Sequence, residues 1–381
     1  MPVPDLSFLV SKPIPMSSLT EEIVRNILSG VDTPDAAGHC GGDLVSLGWL
    51  RGVGIDGRRV AVDVRANYPL GSQREQFAAL IEQALLDDDR IDQASVNLDW
   101  RVFAHQVQGE LKPMEQVRNI IAVASGKGGV GKSTTSVNLA LALQADGARV
   151  GILDADIYGP SIPRMLGISG QPETVGKRIV PQQAYGLQVM SIGFMVAEDT
   201  PMIWRGPMVT SALQQLLSET NWDKLDYLVV DLPPGTGDIQ LTLAQKVPVS
   251  GVVVVTTPQD IALLDARKAV QMFRKVNVKV LGVVENMSMH ICTECGHEEA
   301  IFGSGGGEKM AKDYEIPLLG QLPLSAKIRA DLDRGEPSIV AEPASGISAC
   351  YREFARNVAA MIARQPRSLE LNLPQIQLEN S

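Results

Sequence analysis

The sequence predicts an α/β domain with a mostly parallel sheet flanked by helices, preceded by a small α+β domain. From residue 117 onward, short runs of β-branched residues alternate with segments of helical periodicity, which is the pattern of βαβ units. Before that point, residues 18–100 have the pattern of a helix, two strands, a helix and a strand. The predicted divisions are an accessory domain with a polar connector at 1–110, the larger domain at 111–363, and a tail expected to be mobile at 364–381.

The accessory domain is predicted to begin with a helix. Ser18 and Glu21 have the spacing of a capping box, and apolar residues follow at helical spacing. Farther along, the dipeptide Asp56-Gly57 lies between two β-rich runs and predicts a hairpin turn. The predicted elements after the first helix are strands at Leu44–Val53 and Val60–Val64, a helix at Gln73–Leu86 and a strand at Ala94–Trp100.

The strands of the larger domain are predicted from apolar runs rich in valine and isoleucine. Such runs have no polar alternation, so we expect both faces of the sheet to be covered by helices. The predicted strands are Asn119–Ala124, Val150–Leu153, Tyr227–Val230, Val252–Thr256 and Val280–Val284.

Composition narrows the classes of partner. The chain has 381 residues, with 34 lysines and arginines against 44 aspartates and glutamates, and a formal net charge of −10. It lacks the basic character of a nucleic-acid-binding protein, so we expect no nucleic acid partner. The longest uncharged segment, 179–197, contains proline and several glutamines and is not a membrane span, so we expect no membrane partner either.

Cysteine content indicates the compartment. The chain contains Cys40, Cys292, Cys295 and Cys350, which is far too few cysteines for a disulfide scaffold. The N-terminus also lacks the basic and apolar regions of a secretory signal. We therefore expect a cytoplasmic protein with reduced thiols.

A glycine-rich run after the first strand of the larger domain predicts a phosphate-binding loop, because a strand precedes it and a helical segment follows it. Its residues are Gly126, Lys127, Gly128, Gly129, Val130, Gly131, Lys132 and Ser133, followed by Thr134. The backbone N–H groups of such a loop surround phosphate oxygens at a helix N-terminus. We expect Lys132 to reach the β- and γ-phosphates and Ser133 to ligate Mg²⁺, which makes the domain a phosphate-loop NTPase.

Acidic residues follow two of the predicted strands. Asp231 ends the strand Tyr227–Val230, where an NTPase places a carboxylate near Mg²⁺, and the loop Pro233–Asp238 follows at the position of a γ-phosphate sensor. Asp154 and Asp156 follow another strand. One of this pair is expected near the water shell of the metal and the other to orient the attacking water, although a turn or helix cap is the alternative for each.

The lysine between the first loop glycines carries a resemblance. Lys127 resembles the extra lysine of the dimeric ATPase class that includes the nitrogenase iron protein and MinD. In that class this lysine crosses to the nucleotide of the partner subunit, so the resemblance implies a homodimer and a catalytic cation supplied in trans. The chain has no Asn-Lys-x-Asp guanine motif, which favours ATP, and Asn286 resembles the adenine contact of the class.

Cys292 and Cys295 are separated by two residues, and two thiolates at this spacing converge on one metal centre. A [4Fe–4S] cluster or a structural zinc ion usually takes four strong ligands, and two chains related by a two-fold axis would provide them. Zinc bridging two chains, zinc bound within one chain with His290 and His297, and a redox-active thiol pair remain alternatives. We expect Cys40 and Cys350 to be incidental.

Several motifs together resemble the Mrp/ApbC family of ATPases over residues 110–363. They are the phosphate loop, the runs Asp154–Ser161, Trp204–Pro207 and Pro233–Asp238, and the cysteine pair after Glu285–Ser288. The resemblance implies an ATPase that carries an iron–sulfur cluster between subunits, receives it from scaffold proteins and transfers it to apo-proteins. The accessory domain resembles the MIP18-like domain that precedes the ATPase in bacterial members.

The family resemblance motivates a mechanistic hypothesis. ATP binding closes the dimer through Lys127, Asp156 and the loop Pro233–Asp238, which changes the exposure of the bridging cluster, and slow hydrolysis resets it. The rival hypotheses are a MinD-like positioning ATPase and a redox ATPase that delivers electrons. A membrane-positioning ATPase would end in a basic amphipathic helix, whereas residues 368–373 are acidic and short.

Overall fold

The computed structural model describes residues 19–34, 42–109, 111–157, 159–195, 206–292 and 295–368, with the side chains of 206 and 207 left out. These residues form two compact units. The smaller unit consists of the described residues among 1–33, 42–65 and 75–99, and the larger one of those among 34–41, 66–74 and 100–381.

The smaller unit has the predicted order of elements. They are α1 (Glu21–Leu28), β1 (Leu50–Asp56), β2 (Arg59–Ala66), α2 (Arg74–Leu86) and β3 (Gln93–Trp100). The strands form one sheet in the order β1-β2-β3, with β1 and β2 antiparallel. Helix α1 packs against β1, and Trp49 meets Phe77 of α2 edge to face, with ring centroids 6.1 Å apart.

Two details of this unit differ from the sequence prediction. Thr20 caps α1, because its side chain accepts a hydrogen bond from the Ile23 N–H group, whereas Ser18 lies outside the described residues. The first strand begins at Leu50 and not at Leu44. The carboxylate of Asp43 accepts hydrogen bonds from the backbone N–H groups of Val45 and Ser46. These bonds stabilise a local turn where the sequence predicted the start of the strand.

The larger unit is built on an eight-stranded sheet in the order β15-β12-β11-β4-β10-β5-β9-β8. All neighbours pair in parallel except β8, which runs antiparallel to β9 at one edge. Its elements are β4 (Val117–Ser125), α3 (Lys132–Ala145), β5 (Val150–Asp154), α4 (Ile162–Met165), β6 (Thr174–Val175), β7 (Arg178–Ile179), β8 (Gln182–Ala184), β9 (Leu187–Ser191), α5 (Gly206–Glu219), β10 (Leu225–Asp231), α6 (Asp238–Lys246), β11 (Gly251–Thr256), α7 (Asp260–Lys275), β12 (Val280–Glu285), β13 (His290–Ile291), β14 (Glu298–Glu299), α8 (Gly306–Asp313), β15 (Leu318–Gln321), α9 (Ala326–Asp333), α10 (Ser338–Ala341) and α11 (Gly346–Ala363).

The predicted strands are the central ones of this sheet: β4, β5, β10, β11 and β12. Every residue of β5, β10, β11 and β12 is buried, as their unbroken apolar runs predict. Parallel register brings the ends of neighbouring strands to one edge, since Asp231 pairs with both Asp154 and Val123. This carboxyl edge is where open α/β sheets bind their ligands.

The chain after α11 is fixed in place for a short distance. The backbone N–H group of Ser368 donates to the Ala104 carbonyl, and that of Gln106 donates to the Pro366 carbonyl. The first residues of the predicted tail are therefore anchored, and the rest of it, 369–381, lies outside the described residues. None of the helices in the described part of the chain is long and apolar enough to cross a bilayer.

His105, beside this anchor, is buried. Only 1% of the residue is exposed. Its Nδ1–H group donates to Asn119 Oδ1 over 3.0 Å, and no well-formed hydrogen bond to Nε2 comes from the part of the chain that the structure describes. Burial lowers the pKa of His105 below its ordinary value of 6.5. Protonation in the folded state would place an uncompensated charge in the interior.

This histidine predicts a pH-dependent stability. The unfolded chain takes up the proton more readily than the folded one, so the free energy of unfolding should fall as the pH drops through 6.5 and below. Denaturant unfolding of the parent and of His105→Gln between about pH 8 and about pH 5 measures it, because contributions of other groups cancel in the difference. A pH-independent difference would contradict the prediction.

Candidate nucleotide-binding site and cysteine hairpin

The phosphate loop joins β4 to α3 at the carboxyl edge of the sheet. Gly129 and Gly131 adopt left-handed backbone angles, with φ of 82° and 80°, and Gly131 is the N-cap of the 14-residue helix α3. Gly126 lies against the backbone of α7, where a Cβ atom would stand 2.1 Å from the carbonyl carbon of Asp265. The loop therefore leads into the N-terminus of α3 in the arrangement that binds phosphate.

One carboxylate holds the polar side chains of the loop. The Lys132 ammonium lies 2.7 Å from Asp231 Oδ2, and the Ser133 hydroxyl donates to the same oxygen over 2.6 Å. The Ser136 hydroxyl donates to Oδ1, also over 2.6 Å. Asp231 is fully buried and Lys132 is only 6% exposed. The electrostatic interactions between these groups are therefore strong, because little solvent screens them. Ligand phosphates must draw Lys132 away from Asp231 to use it.

The same cluster suits magnesium. The Ser133 hydroxyl and the Asp231 carboxylate are hard oxygen ligands at hydrogen-bond distance from each other, beside the loop that receives phosphates. Mg²⁺ typically takes one or two protein oxygens together with substrate phosphates and water. Sequence reasoning missed Ser136, although its position one helical turn after Ser133 is a signal for an inward-facing side chain.

The two aspartates at the end of β5 and just after it are placed differently. Asp154 is fully buried, and protein groups hold both of its oxygens: Oδ1 accepts from the Asp156 N–H group, and Oδ2 accepts from the Ile162 N–H group and the Ser191 hydroxyl. Burial, and then the nearby Asp231 carboxylate, raise the pKa of Asp154 to about 7. These hydrogen bonds fix Asp154 against the loop that follows it, and the expected contact with water or metal stays a prediction.

Asp156 faces the phosphate loop. Its Oδ2 atom lies 3.6 Å from the Lys132 ammonium, and 9% of the residue is exposed. Asp156 is therefore the more exposed of the two carboxylates and the one that faces the phosphate-loop lysine.

The predicted sensor loop lies directly beside the phosphate loop. The Gly235 N–H group donates to the carbonyl of Ser125, the last residue of β4, over 2.9 Å. The Gln240 side chain donates to the Pro234 carbonyl from the first turns of α6. In the run 204–207, residues 204 and 205 lie outside the described part of the chain.

Lys127 is half-buried in the phosphate loop. The Ser125 hydroxyl donates to its backbone carbonyl over 2.9 Å. Among the described residues, no carboxylate forms an ion pair with its ammonium group, in contrast to Lys132. Removing Lys132 should therefore lower the free energy of unfolding more than removing Lys127.

Asn286 connects the phosphate loop to the end of β12. Its side-chain amide donates to the Val130 carbonyl over 2.9 Å, and only 4% of the residue is exposed. Asn286, Gly131 and Thr134 line a cavity of about 820 Å³, a volume in the range of small-molecule sites. Met287, His290 and Leu324 also line this cavity.

The cysteine pair lies on a short hairpin of β13 and β14, which we call the cysteine hairpin (residues 290–299, of which 293 and 294 are not described). The Cys292 N–H group donates to the His297 carbonyl, and the Gly296 N–H group donates to the Cys292 carbonyl, each over 2.9 Å. Cys295 is exposed and Cys292 is half-buried, and neither forms a disulfide. An exposed thiol turn of this kind suits a ligand that is handed on to another protein.

A single chain does not assemble a metal site from this hairpin. Within the described residues, no group of three or more His, Cys, Asp or Glu side chains is arranged to hold a metal ion. His290 Nδ1 is engaged with the Leu324 carbonyl at 3.0 Å.

The remaining cysteines stand apart from this hairpin. Cys350 lies in α11, where burial and the nearby Glu353 raise the pKa of its thiol, and Cys40 lies outside the described residues.

Comparison with known proteins places this site in a family. Residues 116–359 match the family model described as NUBPL iron-transfer P-loop NTPase. The chain belongs to this NTPase family. Residues 21–98 of this NUBPL-family NTPase match a second family model, described as iron–sulfur cluster assembly protein. The matches confirm the phosphate-loop NTPase fold and the accessory domain that the motifs predict.

Individual relatives of this NUBPL-family NTPase cover most of its length. An iron–sulfur cluster carrier protein of Haemophilus influenzae is 54% identical over 319 residues, which are 83% of this chain and 86% of the relative. The mouse iron–sulfur cluster transfer protein NUBPL is 51% identical over 258 residues, 67% of this chain and 81% of that one. A nucleotide-binding protein of Archaeoglobus fulgidus, solved with ADP, is 36% identical, with a TM-score of 0.54 over 62% of this chain and 93% of that chain.

Proposed function

We propose that this NUBPL-family NTPase is an iron–sulfur cluster carrier that binds and hydrolyses ATP, holds a cluster between two copies of the chain, and transfers it to apo-proteins. The observation that carries the proposal is the exposed cysteine hairpin directly after the strand that ends at the nucleotide site. The names of the Haemophilus and mouse relatives support it.

The proposed nucleotide chemistry follows from the charge cluster. ATP displaces the Asp231 carboxylate from Lys132, whose ammonium then stabilises charge on the β- and γ-phosphates. Ser133 and Asp231 hold Mg²⁺, and Asp156 orients the attacking water. Lys127 supplies a second cation to the nucleotide of the partner chain. Asn286 contacts adenine through its side-chain oxygen, because its amide nitrogen is engaged with the loop.

The proposed cargo site needs two chains. Cys292 and Cys295 supply two thiolates, and the same pair from a second chain completes the four ligands of a [4Fe–4S] cluster. A homodimer closed over ATP brings the two hairpins together, and slow hydrolysis releases them. The proposed partners are scaffold proteins that load the cluster and apo-proteins that receive it in the cytoplasm, with neither nucleic acid nor membrane involved.

Anaerobic reconstitution tests the carrier proposal. The parent, Cys292→Ala and Cys295→Ala are reconstituted with iron and sulfide, with Cys350→Ala as the matched control, and bound metal and acid-labile sulfide are measured. We expect about four iron and four sulfide per two chains in the parent and the control, and at least a tenfold loss in the other two variants. Zinc in place of iron and sulfide, or an intact cluster in Cys292→Ala, would overturn the proposal.

The coupling to ATP has a separate test. Transfer of the cluster to an apo-enzyme is timed with and without ATP, for the parent and for Lys132→Ala. Faster transfer in the parent with ATP supports the coupling. Equal rates in all of these samples would remove the coupling and leave the carrier function intact.

A further inference from the structure

The cysteine hairpin is attached to one loop of the NTPase domain. This loop follows β15 and spans residues 322–325, and we call it the base loop. The Leu324 N–H group donates to the Met289 carbonyl over 2.8 Å, and the Ser288 N–H group donates to the Leu322 carbonyl over 3.0 Å. Residues 290 and 324 also form a parallel bridge. The start of the cysteine hairpin is thus held against the base loop by backbone hydrogen bonds.

One side chain adds to this backbone pairing at the start of the hairpin. His290 Nδ1 lies 3.0 Å from the Leu324 carbonyl oxygen. A carbonyl oxygen only accepts hydrogen bonds, so Nδ1 carries the hydrogen and donates it. Cys292 lies two residues farther along, and its N–H group closes the hairpin on the His297 carbonyl. The orientation of His290 therefore bears on the segment that presents the first thiol.

The base loop and His290 also line the cavity described above that contains Asn286, Gly131 and Thr134, which we call the nucleotide cavity. Leu324, Ser325 and His290 line this cavity of about 820 Å³ together with Gly131 and Thr134, which belong to the phosphate loop and the start of α3. A ligand that fills the cavity contacts the base loop and the imidazole together. Filling it consequently restricts the same side chain that fixes the start of the hairpin.

We propose that His290 is the positioning residue that couples occupancy of the nucleotide cavity to the conformation of the cysteine hairpin. A nucleotide base against the imidazole holds Nδ1 on the Leu324 carbonyl, so hairpin opening becomes less favourable when the cavity is filled. The same coupling makes cluster binding and nucleotide affinity mutually dependent, since linkage is reciprocal. The inference rests on the proposed function in that it takes a nucleotide as the ligand of this cavity.

Hydrogen exchange of the cluster-free chain tests the coupling without the cargo. The amides of Cys292 and Gly296 both donate inside the hairpin, so their exchange rates report its opening. These rates are measured with and without a non-hydrolysable ATP analogue and Mg²⁺. The proteins are the parent, His290→Leu, which loses the donor, and His290→Asn, whose amide nitrogen takes the place of Nδ1–H. Binding of the analogue is measured in the same samples.

We expect the analogue to slow exchange of both amides by roughly fivefold or more in the parent and in His290→Asn. In His290→Leu the ratio should fall to about one when the exchange rates are measured at a concentration of the analogue that saturates that variant. A nucleotide-dependent ratio retained in His290→Leu, or absent from the parent that binds the analogue, would overturn the inference. If the hairpin of His290→Leu is open in both states, His290→Asn decides, and loss of the ratio there also overturns it.

The outcomes separate this inference from the proposed function. A parent that does not bind the analogue contradicts the nucleotide part of the proposed function. The parent could also bind the analogue and show the slower amide exchange but take up no cluster. That result would contradict only the carrier part of the proposed function.

Discussion

Lys132→Ala is expected to lower both the ATPase rate and the stability of the chain. The ammonium is the only cation among the described residues in an ion pair with the buried Asp231, at 2.7 Å. Removing it leaves a buried carboxylate without its counter-charge, which costs about 3 kcal/mol of the free energy of unfolding. Loss of a cation that stabilises transferring phosphate should lower the ATPase rate by about 10²–10³-fold.

Lys127→Ala is the matched control within the same loop. Lys127 is half-buried and has no ion pair among the described residues, so its removal should change the free energy of unfolding by less than about 1 kcal/mol. If it serves the partner's nucleotide, the ATPase rate should still fall, by roughly 10³-fold. Denaturant unfolding in chelator and phosphate release measure the two effects. A full ATPase rate in Lys127→Ala would exclude the role in trans.

Gly126→Ala is expected to disrupt the phosphate loop. A Cβ atom on Gly126 would lie 2.1 Å from the carbonyl carbon and 2.3 Å from the carbonyl oxygen of Asp265, and 2.6 Å from the Ala266 nitrogen. These are backbone atoms of α7, so no side-chain rotation relieves the overlap, and either the loop or the helix must shift. We expect a loss of about 3 kcal/mol or more in the free energy of unfolding, together with loss of nucleotide binding.

Gly128→Ala provides the comparison at the next glycine along the loop. Among the described residues other than its chain neighbours, none has a heavy atom within 4 Å of a Cβ atom placed on Gly128, and its backbone angle is not left-handed. Its free energy of unfolding should stay within about 1 kcal/mol of the parent value. Thermal and denaturant unfolding of both variants measure the contrast, and equal destabilisation would show that close packing against α7 is not what requires glycine at 126.

Local signals made much of the fold predictable. The central strands β4, β5, β10, β11 and β12 have long apolar runs, and the phosphate loop has glycines at fixed spacing, so both are visible without tertiary information. The edge strands β8 and β15, and β9 next to β8, were not predicted. The strand β8 consists of only Gln182, Gln183 and Ala184, so pairing with β9 decides its conformation.

The chemical groups of the site were predictable from the sequence, but the contacts that each group makes were not. Asp154 and Asp156 follow the same strand and look equivalent in sequence. The turn after β5 directs Asp154 inward, to the N–H groups of Asp156 and Ile162, and Asp156 toward Lys132. Ser136 joins the cluster because α3 presents it one turn after Ser133.

The sequence by itself determined which chemistry this protein contains: a phosphate loop with two lysines, a carboxylate at the end of a strand, and two thiols at ligand spacing. These are local patterns, because ligand type and spacing are properties of contiguous residues. Only the tertiary structure decided that Asp231 holds Lys132, and that His290 of the cysteine hairpin contacts Leu324, 34 residues away, in the wall of a shared cavity. Such contacts depend on parallel strand register, which brings distant segments to one edge of the sheet and leaves no trace in local sequence.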